Sequence, residues 1–286
     1  MRLTGVCLAT IILGALAPPA QADGLPDWME HWEFGWTIEE DAGPAFSLDP
    51  IVPLSRAQDD SHVLFVEPRV SLRNKEWLSN LGVGYRQLTP DRAWLLGTNL
   101  FWDYDTMNAH YRLGGGIEAL SSFAEGRANV YIPVSQQRLV EERGGVQIIE
   151  EAVHGYDFEL GAPIPYYHRV KLFGGFNWYN YEKFDNRYGW TLRTEYTPVP
   201  FVVVDGLMGN DTKGNLDWGL TLALRLPIGG NAERTTQRRL LALDPQAFPD
   251  SDASVHLFRL VERHHEIVVE RREERSGVSV EIGRGT

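Results

Sequence analysis

Apolar and polar positions alternate strictly along much of the chain, most clearly from residue 96 to 119. In the first half of this stretch, Leu96 and Leu100 fall on one face, and Asn99 and Asp103 fall on the other. Successive side chains of a β-strand point to opposite sides of the sheet, so this pattern predicts half-buried strands. The second half repeats the alternation after a short polar turn, which indicates a β-hairpin.

The same alternation recurs along most of the chain and predicts about twelve strands, an even number as bacterial outer-membrane barrels have. Pro50 and Pro53 interrupt the second strand, and residues 202–204 break the alternation in the eleventh. The predicted strands span residues 30–40, 46–53, 61–73, 78–88, 92–104, 110–121, 123–134, 155–163, 168–181, 188–197, 201–209 and 214–227.

Two regions lack the alternation. The connection 136–154 is polar and contains glycine, which predicts a loop. After residue 230, the polar segment 233–243 and the capped segment 251–263 predict helical turns, and residues 267–270 are extended. We expect the helical turns to lie in the lumen of a barrel and the extended segment to emerge on its far side. A helix outside the barrel is the alternative.

The N-terminus has the layout of a signal peptide. Arg2 supplies the positive charge, residues 6–16 form an apolar core, and Ala20-Gln-Ala22 is a small-x-small cleavage site. The apolar run is too short to span a bilayer, which argues against an uncleaved anchor. Cys7 is the single cysteine, so a chain cleaved after Ala22 has no disulfide, thiolate metal site or cysteine nucleophile.

Composition restricts the classes of protein further. The formal net charge of −12 argues against a nucleic-acid partner. No apolar run after the leader is long enough for a transmembrane helix, and lipid cannot satisfy open backbone groups, so a membrane-spanning chain of this kind must be a closed β-barrel. A soluble β-sandwich is the alternative. Aromatic residues near strand ends and charges of both signs on the second face favour the barrel with a wet lumen.

Several motifs in a fixed order carry a family resemblance. The series Gly97-x-Asn99-x-Phe101-x-Asp103-x-Asp105, then His110-x-Arg112-x-Gly114-x-Gly116-x-Glu118, resembles the signature of the intimin/invasin family, the inverse autotransporters. Further matching pieces lie in family order at residues 81–86, 155–159, 196–200, 210–212, 243–245 and 260–270. Together they extend the resemblance over residues 32–270.

The resemblance implies an all-β fold, a twelve-stranded antiparallel transmembrane β-barrel of the outer membrane with a C-terminal helical linker inside the lumen. It implies a periplasmic N-terminus, a C-terminus at the cell surface, and a barrel that exports an adhesive passenger through a hairpin intermediate. Its implied partners are outer-membrane lipid, the outer-membrane assembly machinery, and a separately encoded adhesin or a host or bacterial surface. No catalytic residue, metal or cofactor is expected.

The expected organisation is a signal peptide at 1–22, a barrel at 23–230, a linker at 231–270 and a short tail at 271–286. Only sixteen residues follow Glu270, too few for an immunoglobulin-like domain, so we expect a translocator without a passenger. A passenger-less pore or structural barrel is the alternative. The residues expected to line the lumen are Arg69, Arg86, Asn99, Asp103, Asp105, His110, Arg112, Gly114, Gly116, Glu118, Glu125, Arg127, Asp157, Glu159, Arg193, Glu195, Asp217 and Arg225.

One group of residues suggests an enzyme or a cation site. Asp103, Asp105 and His110 lie at one predicted turn, where carboxylates and an imidazole could perform acid–base chemistry or bind a hard cation. No serine or second histidine accompanies them, so a structural role is favoured. The glycines from Gly114 to Gly116 lack the Lys-Ser/Thr of a phosphate loop. We interpret residues 264–266 as a solvated turn of the linker.

Overall fold

A closed antiparallel barrel is the main body of the computed structural model, which describes residues 31–40, 42–214, 216–226, 243–249, 252–275 and 278–281. The predicted signal peptide and the predicted helical turns at 233–242 lie outside the described residues. The barrel strands are β1 (Trp32–Glu39), β2 (Ala45–Pro50), β3 (Val52–Arg56), β4 (His62–Arg73), β5 (Glu76–Leu88), β6 (Leu95–Asp105), β7 (Tyr111–Leu120), β8 (Glu125–Pro133), β11 (His154–Ile164), β12 (Tyr167–Asn180), β13 (Arg187–Val199), β14 (Val202–Asp211) and β15 (Asp217–Leu226).

The barrel closes through the pairing of its first and last strands. β1 pairs with β15 over eight positions, from Trp32↔Leu226 to Glu39↔Gly219. β2 and β3 both pair with β4 and are two pieces of one strand, interrupted after Pro50. Proline cannot donate to a ladder, which explains this break. The thirteen segments of the sheet therefore form twelve wall strands, and the predicted twelve-stranded barrel is confirmed.

The predicted loop at 136–154 is wrong, because it contains a β-hairpin. Its strands are β9 (Arg138–Arg143) and β10 (Val146–Ala152), joined by Gly144 and Gly145 with φ of 61° and 80°. A two-residue hairpin turn of type I′ has positive φ at both central positions, which glycine adopts without strain. β10 also pairs with β16 (Val269–Arg275), which pairs with β17 (Val278–Glu281), so these four strands form a second sheet.

The alternation of the sequence corresponds to the two faces of the barrel wall. Leu100 and Ile117 point outward and are 55% and 65% exposed, whereas Phe101 and Asp103 point inward and are 1% and 0% exposed. Exposed leucines, valines and aromatic residues continue around the outside, and an apolar surface of this extent marks a contact with lipid rather than water. Among the described residues, no helix combines the length and apolar character needed to cross a bilayer.

The two ends of the barrel differ in their connections. Connections of two to six residues join β3 to β4, β5 to β6, β7 to β8, β11 to β12 and β13 to β14, and β1 begins and β15 ends on the same side. We call this side the turn end. The opposite side carries the second sheet and the connection 181–186, and we call it the loop end.

Residues 252–270, the part of the predicted linker 231–270 that enters the lumen, cross it between these ends. From here on, we use the word linker for residues 252–270. The Ala253 amide donates to the Arg92 carbonyl oxygen at 2.8 Å in a turn-end connection, and Glu270 contacts the loop-end connection 181–186. The helix predicted at 251–263 is wrong except for one 3-10 turn, Ala253–His256, capped by Asp252. The described part of the linker is otherwise non-helical, because wall arginines bind the carbonyl oxygens that a helix would use internally.

Close packing on the inner wall explains a glycine on β5. A Cβ atom added at Gly84 would overlap the Phe65 ring on β4, so Gly84→Ala is expected to lower the free energy of unfolding by about 1–3 kcal/mol. The matched control is Gly206→Ala, where an added Cβ has no atom within 4 Å. Thermal unfolding in detergent, followed by tryptophan fluorescence, measures both. Equal stability losses would contradict the proposed crowding.

Candidate functional site: the linker-filled lumen

The turn end of the lumen is filled by an apolar cluster shared between the linker and the wall. Ala253, Leu257 and Val261 of the linker are at most 2% exposed. They pack against inward-facing wall side chains, which are Ile51, Val63, Phe65, Leu88, Leu95, Phe101 and Leu120. Burying this apolar surface contributes about 25 cal/mol per Å² removed from water, which favours the linker inside the barrel.

Arg86 binds the backbone of the linker directly above this cluster. Its Nη1 donates to the carbonyl oxygens of Leu257 at 2.9 Å and Arg259 at 2.5 Å, and its Nε donates to Glu118 Oε1 at 2.5 Å. Arg86 is 0% exposed. A buried guanidinium must be paired and hydrogen-bonded, and here the linker supplies part of that requirement.

Arg259 of the linker connects the wall strands β8 and β13 across the lumen. Its Nη1 lies 2.6 Å from Glu125 Oε1, and its Nη2 lies 3.0 Å from Glu195 Oε2. Glu125 also pairs with Arg127 and Lys171. A linker side chain and wall side chains of opposite charge therefore form one continuous network, in which removal of any member leaves a buried charge without its partner.

Asp103 is the centre of a second network nearer the loop end. Its carboxylate accepts hydrogen bonds from Arg112 Nε at 2.7 Å, Arg263 Nη1 at 2.7 Å and Asn80 Nδ2 at 2.7 Å. A Cβ atom added at Gly114 would overlap the Arg263 guanidinium, so the absence of a side chain at Gly114 leaves room for this close approach.

The turn predicted at 264–266 lies inside the lumen, where its residues border a cavity. Arg112 donates to the carbonyl oxygens of His264 at 2.7 Å and Glu266 at 2.7 Å. The Glu266 carboxylate lies 3.0 Å from Arg73. The wall thus binds the linker backbone at two levels, through Arg86 and Arg112.

A short segment before the linker contacts the turn end. The Asp244 amide donates to the Tyr166 carbonyl oxygen at 2.7 Å, and the Tyr166 amide donates to the Ala247 carbonyl oxygen at 3.0 Å. The Asp244 carboxylate also accepts from the His168 amide. The motif at 243–245 therefore attaches the chain to the β11–β12 turn before it enters the lumen.

The three residues considered for catalysis do not form one site. Asp103 binds arginines, while Asp105 accepts from the Met107 amide at 2.8 Å. His110 lies 3.1 Å from Ser135 Oγ and 3.5 Å from Glu150 Oε2. Within the ranges that the structure describes, no three His, Cys, Asp or Glu side chains are grouped to hold a metal ion.

The remaining predicted lumen residues have separate partners. Arg69 pairs with Asp49, Arg225 with Glu33, and Arg193 with Glu159 and Asp205. The Asp157 carboxylate accepts a hydrogen bond from Asn129. Asn99 is 9% exposed, and Gly116 lies against the side chains of Asn99 and Asn129. Asp217 borders the lumen cavity.

The predicted set lacked several contributors. These are Asp49, Asn80, Asn129 and Asp205 on the wall, and Arg259, Arg263 and Glu270 on the linker. The wall residues occupy inward-facing positions of the alternating strands, so the alternation could have identified them as lumen residues. The linker residues show no comparable periodic signal.

The linker leaves part of the lumen open. A cavity of about 890 Å³ remains between the linker and the wall, lined mainly by residues of β1, β2 and β11–β15, with others from β4 and β8. Charges of both signs line it, among them Glu33, Arg193, Glu195, Asp205 and Arg225. A cavity with this lining is expected to contain water.

Comparisons with known proteins agree with this architecture. Residues 22–263 match the family described as inverse autotransporter, beta-domain. Invasin from Yersinia enterocolitica is 27% identical over 240 residues, which cover 78% of this chain and 26% of invasin. The uncharacterized protein YchO from Escherichia coli (strain K12) is 26% identical over 217 residues, covering 68% of this chain and 44% of that protein. The chain thus spans less than half the length of either relative.

A solved structure supports the fold independently. The structure described as "Unveiling the Mechanism Behind the in-meso Crystallization of Membrane Proteins" superposes with a TM-score of 0.66, covering 84% of this chain and 99% of that chain. Its sequence identity is 19%, so the likeness establishes the barrel fold and nothing further.

Proposed function

Since this chain belongs to the inverse autotransporter β-domain family, we propose that it is an outer-membrane translocator and anchor of the intimin/invasin type, related to the export and display of adhesins. The observation that carries the proposal is the linker itself, which passes from the turn end to the loop end through the lumen. A chain that enters a barrel at one end and leaves at the other is arranged to present its following residues on the far side of the membrane.

We place the turn end in the periplasm and the loop end at the cell surface. Bacterial outer-membrane barrels have short periplasmic turns and longer extracellular loops, and the longest described connection between wall strands, from β8 to β11, lies at the loop end. The first and last strands both have their free termini at the turn end. In this orientation a chain that follows a cleaved signal peptide at 1–22 starts in the periplasm, and the linker carries residues after 270 outward.

The buried charge networks hold the linker in the barrel, which supports a role as an anchor. Arg259 and Arg263 of the linker are held by wall carboxylates, and Arg86 and Arg112 of the wall hold linker carbonyl oxygens. Pulling the linker out would leave these groups unpaired until water entered, which costs several kcal/mol for each buried ion. The linker is therefore suited to anchor the residues that follow it at the cell surface. No enzymatic activity is proposed, since Asp103 is held by arginines and Asp105 accepts a hydrogen bond within its own turn.

Surface display of the C-terminus tests the translocator function. An epitope tag placed after Thr286 is expected to react with antibody and protease on intact cells, because the linker leads out at the loop end. The control is the same tag inserted between Pro200 and Phe201 in a turn-end connection, which should react only after the outer membrane is permeabilised. A C-terminal tag that stays hidden on intact cells would contradict the proposal.

The remaining cavity favours a second candidate function, that of an outer-membrane pore or structural barrel. About 890 Å³ of polar space lies beside the linker. A pore predicts steady conductance of the intact protein in planar bilayers together with a C-terminal tag that only periplasmic protease reaches. Conductance without surface display would favour this function over translocation.

A further inference from the structure

The second sheet fixes the linker where it leaves the barrel. β16 begins at Val269, and β10 pairs with it over seven positions, from Val146↔Arg275 to Ala152↔Val269. The ladder continues toward the wall, because the Val153 amide donates to the Val268 carbonyl oxygen at 3.1 Å. The hairpin β9–β10 connects wall strands β8 and β11, so the emerging chain is paired with the rim of the barrel itself.

A group of three backbone amides holds the Glu270 carboxylate. The amides of Glu182, Lys183 and Phe184 donate to it at 3.0, 2.9 and 3.0 Å. Glu270 is 0% exposed. Successive backbone N–H groups in a turn form a concave site for an anion, and hydrogen bonds to a charged acceptor are about twice as strong as neutral ones. We call residues 182–184 the amide nest.

Arg272 completes the arrangement on the same face of β16. It is 2% exposed, and its Nη2 donates to Gln137 Oε1 at 3.1 Å on the chain leading into β9. Its Nη1 lies 3.4 Å from Glu151 Oε2 on β10. Glu151 is directly opposite Glu270 in the register. Like charges facing each other across a ladder are unfavourable, so the amide nest and Arg272 supply the compensation that permits this register.

We propose that the hairpin β9–β10 and the amide nest form a register-selective acceptor site for an extended segment that carries Glu and, two residues later, Arg. A shift of the linker by one residue would turn its side chains to the opposite face. A shift by two residues would bring Val268 or Arg272 to the nest, and neither an apolar chain nor a cation can accept hydrogen bonds from amides.

This acceptor site defines where the linker stops moving in the lumen. It deepens the proposed function and rests on it, because a translocator that also anchors needs a defined end position for the part of its chain that stays in the barrel. Glu270 acts as a positioning residue: it fixes which residues leave the barrel and which stay inside.

Disulfide cross-linking of the full-length protein in the outer membrane tests the register. Ile148→Cys combined with Glu273→Cys places two thiols at directly paired positions. Ile148→Cys combined with Arg271→Cys or with Arg275→Cys reports a shift of two residues in either direction, and no cysteine occurs among the described residues. In the chain with Glu270 intact, the paired combination is expected to cross-link far more than the shifted ones.

The variant Glu270→Gln keeps the shape of the side chain and removes its charge. We expect it to lower the ratio of paired to shifted cross-links by about tenfold, since hydrogen bonds to charged groups exceed neutral ones by about that factor in equilibrium. The matched control is Glu40→Gln, the same substitution at an exposed position of the β1–β2 connection, outside the acceptor site. Heat-modifiable migration on gels confirms that each variant retains a folded barrel.

The outcomes separate this inference from the translocator function. Equal ratios in Glu270→Gln and Glu40→Gln, or shifted cross-links as abundant as paired ones with Glu270 intact, would overturn the register site even if the C-terminal tag is displayed. Register selectivity that depends on Glu270 while the tag remains hidden would support the acceptor site and overturn the translocator function alone.

Discussion

Replacing Asp103 with asparagine is expected to lower the free energy of unfolding of the barrel by about 3–5 kcal/mol, the usual cost of removing one partner from a buried ion pair. Asp103 is 0% exposed, and the Arg112 and Arg263 side chains that share it are each 1% exposed. Asparagine has nearly the same size, so the loss comes from two guanidinium groups left without their carboxylate. Because Arg263 belongs to the linker, the linker should also dissociate more readily from the wall.

Thermal unfolding in detergent and limited proteolysis of the linker measure these two effects. The control Asp185→Asn makes the same change in an exposed connection and is expected to alter stability by less than about 0.5 kcal/mol. The double variant Asp103→Asn with Arg263→Met should recover part of the loss, because it removes one of the two unpaired cations. If Asp103→Asn unfolds like Asp185→Asn, the network does not hold the linker.

Removing residues 252–270 is expected to raise the conductance of the purified barrel by at least about twofold, since the lumen of a twelve-stranded barrel would then be open across its full width. At present the apolar residues of the linker pack against β4–β7, and the open cavity is lined mainly by β1, β2 and β11–β15. The exposed lumen charges would be hydrated, as they are in open barrels, so the strands should still close.

Conductance in planar bilayers measures this prediction, with folding checked by heat-modifiable migration. The matched control removes residues 278–281, which form β17 of the second sheet outside the lumen, and should leave conductance close to that of the intact chain. Equal conductance after both deletions would show that the linker does not obstruct the passage.

The family signature has a physical explanation in these contacts. Its first half contributes Asp103 and its second half contributes Arg112 and Glu118, on the neighbouring strands β6 and β7. Glu118 positions Arg86, which binds linker carbonyl oxygens near the turn end, and Asp103 positions Arg112, which does so nearer the loop end. The signature therefore describes a wall that binds the linker backbone through Arg86 and Arg112 and the linker side chain Arg263 through Asp103.

The alternation of apolar and polar residues was sufficient to predict the strands of the barrel wall. The strand predicted at 110–121 is observed as Tyr111–Leu120, and that predicted at 155–163 as His154–Ile164. A side-chain period of two is a property of each strand alone, so it can be recognised without knowing the partner strand. The same alternation separated the lipid-facing side chains from the inward charges.

Only the tertiary structure decided what occupies the lumen and the loop end. β10 pairs with β16, more than a hundred residues later in the chain, so nothing local in the hairpin indicated its second partner. The linker carries a helix cap at Asp252, yet after one 3-10 turn it is non-helical, and Arg86 and Arg112 of the wall bind its carbonyl oxygens. Alternation is set by neighbouring residues, whereas strand partners and ion pairs are set by which distant groups meet in a closed barrel, and that depends on the whole fold.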